Sequence, residues 1–100
     1  YSVVSFARNG MRLLFDAPDL SIYMIRDRLV INGQIGDTVS IFPMSERAAS
    51  VNLAGFKYPL EDAILKPELP IGISNVLLEK EGCISIESGV LAVFHYKKPG

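Results

Sequence analysis

Cysteine is almost missing from this chain. Cys83 stands alone among 100 residues, so neither an internal disulfide framework nor a cysteine-rich zinc site can form. Tryptophan is absent, which argues against a sugar-stacking surface, and His95 is the single histidine, which leaves little material for a nucleophile–base pair. Charge of one sign is missing too. Ten Lys and Arg against eleven Asp and Glu give a net charge of −1 with no run of like charge, so nucleic acid has no electrostatic handle here. No apolar run approaches the roughly 18 residues of a membrane-spanning helix. Tyr1–Gly10 lack the basic start and long apolar stretch of a secretory signal. Neither common glycine-rich phosphate loop occurs. A lone cysteine suits a reducing compartment, and we place the chain in the cytoplasm.

What is present describes one compact domain. The chain is 49% apolar and 21% charged, too apolar for a disordered tail. A chain of this length buries roughly 65% of its unfolded surface, enough for one core. Turn signals recur at short intervals: Pro18-Asp19, Asn32-Gly33, Gly36-Asp37, Pro43, Gly55, Pro59, Pro67, Pro70, Gly72, Gly82, Gly89 and Pro99. Few gaps between them would hold a three-turn helix, and the segments are rich in β-branched and aromatic residues. The fold expected is all-β, a β-sandwich of short, mainly antiparallel strands with a short N-terminal helical remnant.

Strands are expected over 11–16 and 20–25, joined as a hairpin through Ala17-Pro18-Asp19, and over 38–42 and 49–53. The spacing predicts a second hairpin from 83–86 and 90–96, turning at Glu87-Ser88-Gly89. The last strand is apolar on both faces, which suits a central position. Leu77–Gly82 reads equally as a turn or a strand. Ser2–Arg8 before Asn9-Gly10 looks like the last turns of a helix stopped by glycine. We therefore expect 1–10 to be the end of a linker helix and 11–98 to be the folded domain.

Few residues carry chemistry. His95 lies in an apolar strand and reads as a barrel-facing or sheet-edge side chain. Cys83 reads as a packed small hydrophobe. The carboxylates Asp16, Asp19, Asp27, Asp37, Glu61 and Asp62 read as solvated turn residues. Two loops look suited to a ligand. In Gly55-Phe56-Lys57-Tyr58-Pro59-Leu60, Pro59 pushes Tyr58 to an extended conformation, as a stacking platform requires. The competing reading makes Phe56 and Tyr58 caps on the open end of the core. In Pro70-Ile71-Gly72-Ile73-Ser74-Asn75, the hydroxyl and amide suit the edge of a heterocycle, or else they cap a turn.

Gly36–Ser45, Gly55–Leu60, Gly72–Asn75 and Gly89–Val93 resemble, in order and spacing, the C-terminal domain of the thiamine pyrophosphokinases, across roughly 11–97. That family transfers a pyrophosphoryl group from ATP to thiamine, giving thiamine diphosphate and AMP with Mg²⁺. The resemblance implies that Tyr58 lies against the thiamine rings and that Ser74 and Asn75 line the vitamin's pocket. It also implies an N-terminal nucleotide-binding domain that carries ATP, Mg²⁺ and the catalytic aspartates, and a homodimer. On that reading this chain holds no catalytic residue, metal or cofactor of its own and is inactive alone. Two other readings stand beside it: a non-catalytic interaction module, and a carbohydrate-binding sandwich that stacks sugars on Phe56 and Tyr58.

Overall fold

A computed structural model describes residues 10–66 and 73–98. The expected helical remnant, and the Pro70–Gly72 part of the second candidate loop, lie outside the described residues. Nine strands are described: β1 (Met11–Ala17), β2 (Leu20–Ile25), β3 (Arg28–Asn32), β4 (Thr38–Pro43), β5 (Ala48–Ala54), β6 (Leu60–Leu65), β7 (Ile73–Val76), β8 (Glu81–Ser85) and β9 (Leu91–Tyr96). They form a five-stranded sheet, β1-β2-β9-β4-β7, and a four-stranded sheet, β3-β8-β5-β6. Every pairing is antiparallel. The β-sandwich is as expected. Strands from the two halves of the chain alternate within each sheet, which is a jelly-roll arrangement, with β1 added at one edge.

Period-2 alternation builds the core. In β3, Leu29 and Ile31 are buried while Arg28, Val30 and Asn32 face out. Val39 and Ile41 of β4, Val51 and Leu53 of β5 and Ile84 of β8 join them between the sheets. The β1–β2 hairpin forms as expected, and β9 is central, flanked by β2 and β4.

The second hairpin does not exist. β8 belongs to the four-stranded sheet and β9 to the five-stranded one, so Glu87-Ser88-Gly89 carries the chain from one sheet to the other. Its backbone groups bond Ala49 rather than each other: Ala49 N–H donates to Ser88 O at 2.8 Å, and Glu87 N–H to Ala49 O at 3.2 Å. Gly89 makes the crossing at φ 101°, open to glycine and strained for other residues. A tight-turn signal between two apolar strands is equally compatible with a sheet-to-sheet crossing.

One row of the inner face is largely polar. Ser21, His95, Val39 and Asn75 lie directly opposite one another across β2, β9, β4 and β7. All four are buried. This row crosses one end of the sandwich and meets the segment after β5.

Candidate ligand site

The stretch after β5 becomes an extra rung beside β7. Gly55, at φ 87°, turns the chain out of β5. Leu78 N–H then donates to Gly55 O at 3.0 Å and Lys57 N–H to Val76 O at 2.8 Å. Phe56 bridges Leu77 and is buried in the core. At Tyr58 a side chain takes over the ladder. Tyr58 N–H donates to Asn75 Oδ1 at 2.9 Å, and Asn75 Nδ2 donates to Tyr58 O at 2.7 Å. Val76 N–H shares the same Oδ1 at 3.0 Å. Asn75 is 0% exposed, whereas Tyr58 is 56% exposed. A buried carboxamide thus fixes the peptide of an outward-facing aromatic. The Lys57 ammonium lies 5.5 Å from the centroid of that ring.

The structure therefore brings Tyr58 and Asn75 into direct contact and turns the side chains of Ser74 and Asn75 to opposite faces of the sheet. Both residues sit in strand β7, not in a loop, so they alternate between faces. Asn75 turns inward to Tyr58. Ser74 is exposed and shares a cross-strand row with Ser40 and Phe94 on the outer face of the five-stranded sheet. The capping reading holds for Phe56, which is 3% exposed and not available to stack a sugar, but not for Tyr58.

Asp37 corrects the sequence reading. It is no solvated turn carboxylate but is buried beside His95, with Oδ2 2.8 Å from Nε2. Asp37 also accepts the N–H of Gln34 and of Lys98, each at 3.0 Å. Burial pushes this carboxyl up, but the Gln34 and Lys98 amides and the His95 ring outweigh it and hold the group below its ordinary value. His95 itself faces the interior, one of the two positions expected. The cluster clips the β3–β4 turn to the end of β9. Asp16, exposed, is held low by Ser21 Oγ at 2.6 Å and by Lys97. Cys83 is not packed in the core. It faces out from β8 and floors a groove of about 550 Å³ with Ala54, Pro59 and Leu78. Neither Tyr58, Ser74 nor Asn75 lines that groove.

Among the described residues no group of three or more His, Cys, Asp or Glu side chains could hold a metal ion. Asp37, the one buried carboxylate among them, spends both oxygens on protein donors. No helix among them is long and apolar enough to cross a membrane.

Comparison with known proteins bears on this arrangement. The family model for the thiamin pyrophosphokinase vitamin B1 binding domain matches residues 28–91. The chain belongs to that family. The match runs from β3 to the start of β9 and contains Tyr58, Ser74 and Asn75. The thiamin pyrophosphokinase of Bacillus subtilis is similar in structure, with a TM-score of 0.73 and 27% identity over 87% of this chain and 41% of that one. The Geobacillus thermodenitrificans enzyme gives a TM-score of 0.73 and 25% identity over 82% of this chain and 39% of that one. The Candida albicans enzyme, at 13% identity and a TM-score of 0.63 over 80% of this chain and 31% of that one, shares the fold. This B1-binding-domain chain therefore spans about two-fifths of the two bacterial enzymes. No curated protein sequence matches it.

Proposed function

We propose that this domain supplies the thiamine side of a composite site, in an enzyme that transfers pyrophosphate from ATP to thiamine to give thiamine diphosphate and AMP. One observation carries the reading: within the matched span, an exposed aromatic ring stands on a peptide locked by a buried carboxamide. Thiamine is a flat aminopyrimidine joined to a cationic thiazolium, and a fixed Tyr face attracts either ring by roughly 0.5–2 kcal/mol. Fixing the platform in advance removes part of the ordering cost of binding. Tyr58 is the stacking residue on this reading. Ser74 offers an exposed hydroxyl at the edge of β7. Asn75 serves the pocket through the Tyr58 peptide.

ATP, Mg²⁺ and the catalytic groups belong to a nucleotide-binding domain outside this chain, and alone the chain binds without turning over. The enzyme works in the cytoplasm as a homodimer. Leu14, Ile22, Met24, Phe42, Met44, Ala92 and Phe94 form an entirely apolar patch on the outer face of the five-stranded sheet. It carries no charge to desolvate, so two copies can meet there about a two-fold axis.

Calorimetric titration with thiamine, a pyrimidine fragment and simple sugars tests the reading. Thiamine should bind, Tyr58→Ala should weaken binding about 2- to 30-fold, and Tyr58→Trp should retain it. Sugar binding without thiamine binding would favour the carbohydrate module, and binding of none of these the interaction module.

A further inference from the structure

Lys57 is not explained by the platform alone. Its ammonium lies 5.5 Å from the centroid of the Tyr58 ring. Its backbone is pinned to Val76 O at 2.8 Å, and the next peptide is held on both sides by Asn75. The backbone that carries the cation and the ring is therefore held in place. Lys57 takes part in neither the His95–Asp37 contact nor the Lys97–Asp16 ion pair. Any flat ligand stacked on Tyr58 thus comes to rest beside a positive charge with no carboxylate in ion-pair contact.

We propose that Lys57 sets the charge preference of the Tyr58 platform. It favours a heterocycle whose arm ends in phosphate over the same heterocycle ending in a hydroxyl. The inference rests on Tyr58 being the stacking residue. A ring stacked on Tyr58 lies within on the order of 10 Å of the ammonium, about one Debye length at physiological salt. At that range and at low salt, where screening is weak, a unit charge changes affinity roughly twofold. Thiamine is a cation, and its diphosphate is more negative by roughly two to three charges. The ammonium thus repels the substrate and attracts the product, a combined preference of about fivefold. The same side chain would then make the site sensitive to product inhibition.

Calorimetric titration of the chain with thiamine and with thiamine diphosphate at low salt tests this. In Lys57→Met the ratio of the diphosphate Kd to the thiamine Kd should rise about fivefold. Lys57→Arg should keep the wild-type ratio, and about 0.5 M salt should shrink the difference. A ratio unchanged in Lys57→Met, while Tyr58→Ala still weakens both ligands, overturns the role of Lys57 and leaves the Tyr58 reading standing. If Tyr58→Ala weakens neither ligand, or neither binds, that reading falls and takes the inference with it.

Discussion

Replacing Asn75 by alanine removes the link between β7 and the Tyr58 platform. The Tyr58 N–H and C=O lose their partners at 2.9 and 2.7 Å, and the 0%-exposed side chain leaves a void. Leaving one buried polar group unpaired costs roughly 1–3 kcal/mol. The backbone of exposed Tyr58 can recover some water, so the loss should total about 2–4 kcal/mol. In a domain of this size that lowers Tm by about 10–25 °C. Thermal and urea unfolding read the stability, and titration at a temperature where the variant is folded reads the site. Thiamine affinity should fall. In the complete enzyme the thiamine KM should rise far more than the ATP KM. Asn75→Asp isolates the donor. Ionised, it can still accept from Tyr58 N–H, but it sets a second oxygen against the Tyr58 carbonyl. It should therefore be at least as damaging as alanine at neutral pH, with partial recovery when acid protonates it. Unchanged Tm and unchanged thiamine binding in Asn75→Ala would refute the reasoning.

Three further expectations concern other parts of the molecule. The Asp37 carboxyl is held below its ordinary value, so its contribution is fully present above about pH 4 and is lost as pH falls through the lower folded value. Urea midpoints measured from pH 5 to 2 should drop, and Asp37→Asn should flatten that slope; an unchanged slope would remove the clip from the account. Gly33 lies against this pair, and a Cβ there would fall 2.6 Å from Asp37 Oδ2 and 2.8 Å from His95 Nε2. Gly33→Ala should therefore cost about 1–3 kcal/mol, as overpacking does, and unaltered stability would show that the pair can shift freely. Phe42→Glu on the apolar sheet face should shift sedimentation from dimer to monomer without unfolding the chain, whereas an unchanged profile would move the interface elsewhere.

Much of the fold was legible where strands alternate cleanly and turns are short. β1, β2, β4, β5 and β9 lie where the apolar spacing puts them, and the doubly apolar β9 is central. β6 was hidden because its pairing with β5 slips twice, with Ser50 at φ 54° and Asp62 at φ 50°. Asn52 bridges that irregularity, accepting from Asp62 N–H at 2.9 Å and donating to Ser50 O at 3.1 Å, a device with no hydrophobic pattern. β7 was hidden because Ser74 and Asn75 have the composition of a turn, and only the fold supplies β4 as their partner. In the candidate site, an outward-facing Tyr58 was one of the two readings the sequence offered, whereas the inward turn of Asn75 was not legible. One signal did exist. Polar residues occupy the inward positions Ser21 and His95 of otherwise apolar strands, and that polar row leads across the sheet to Asn75.

The central claim is that Tyr58, fixed by Asn75, carries thiamine. Amide chemical-shift mapping of the labelled chain during a thiamine titration tests it most directly. The largest changes should fall on Lys57, Tyr58 and Ser74, saturating together and needing more thiamine in Tyr58→Ala. Changes concentrated instead around Ala54 and Cys83 in the neighbouring groove, or none at Tyr58 at saturating thiamine, would contradict it.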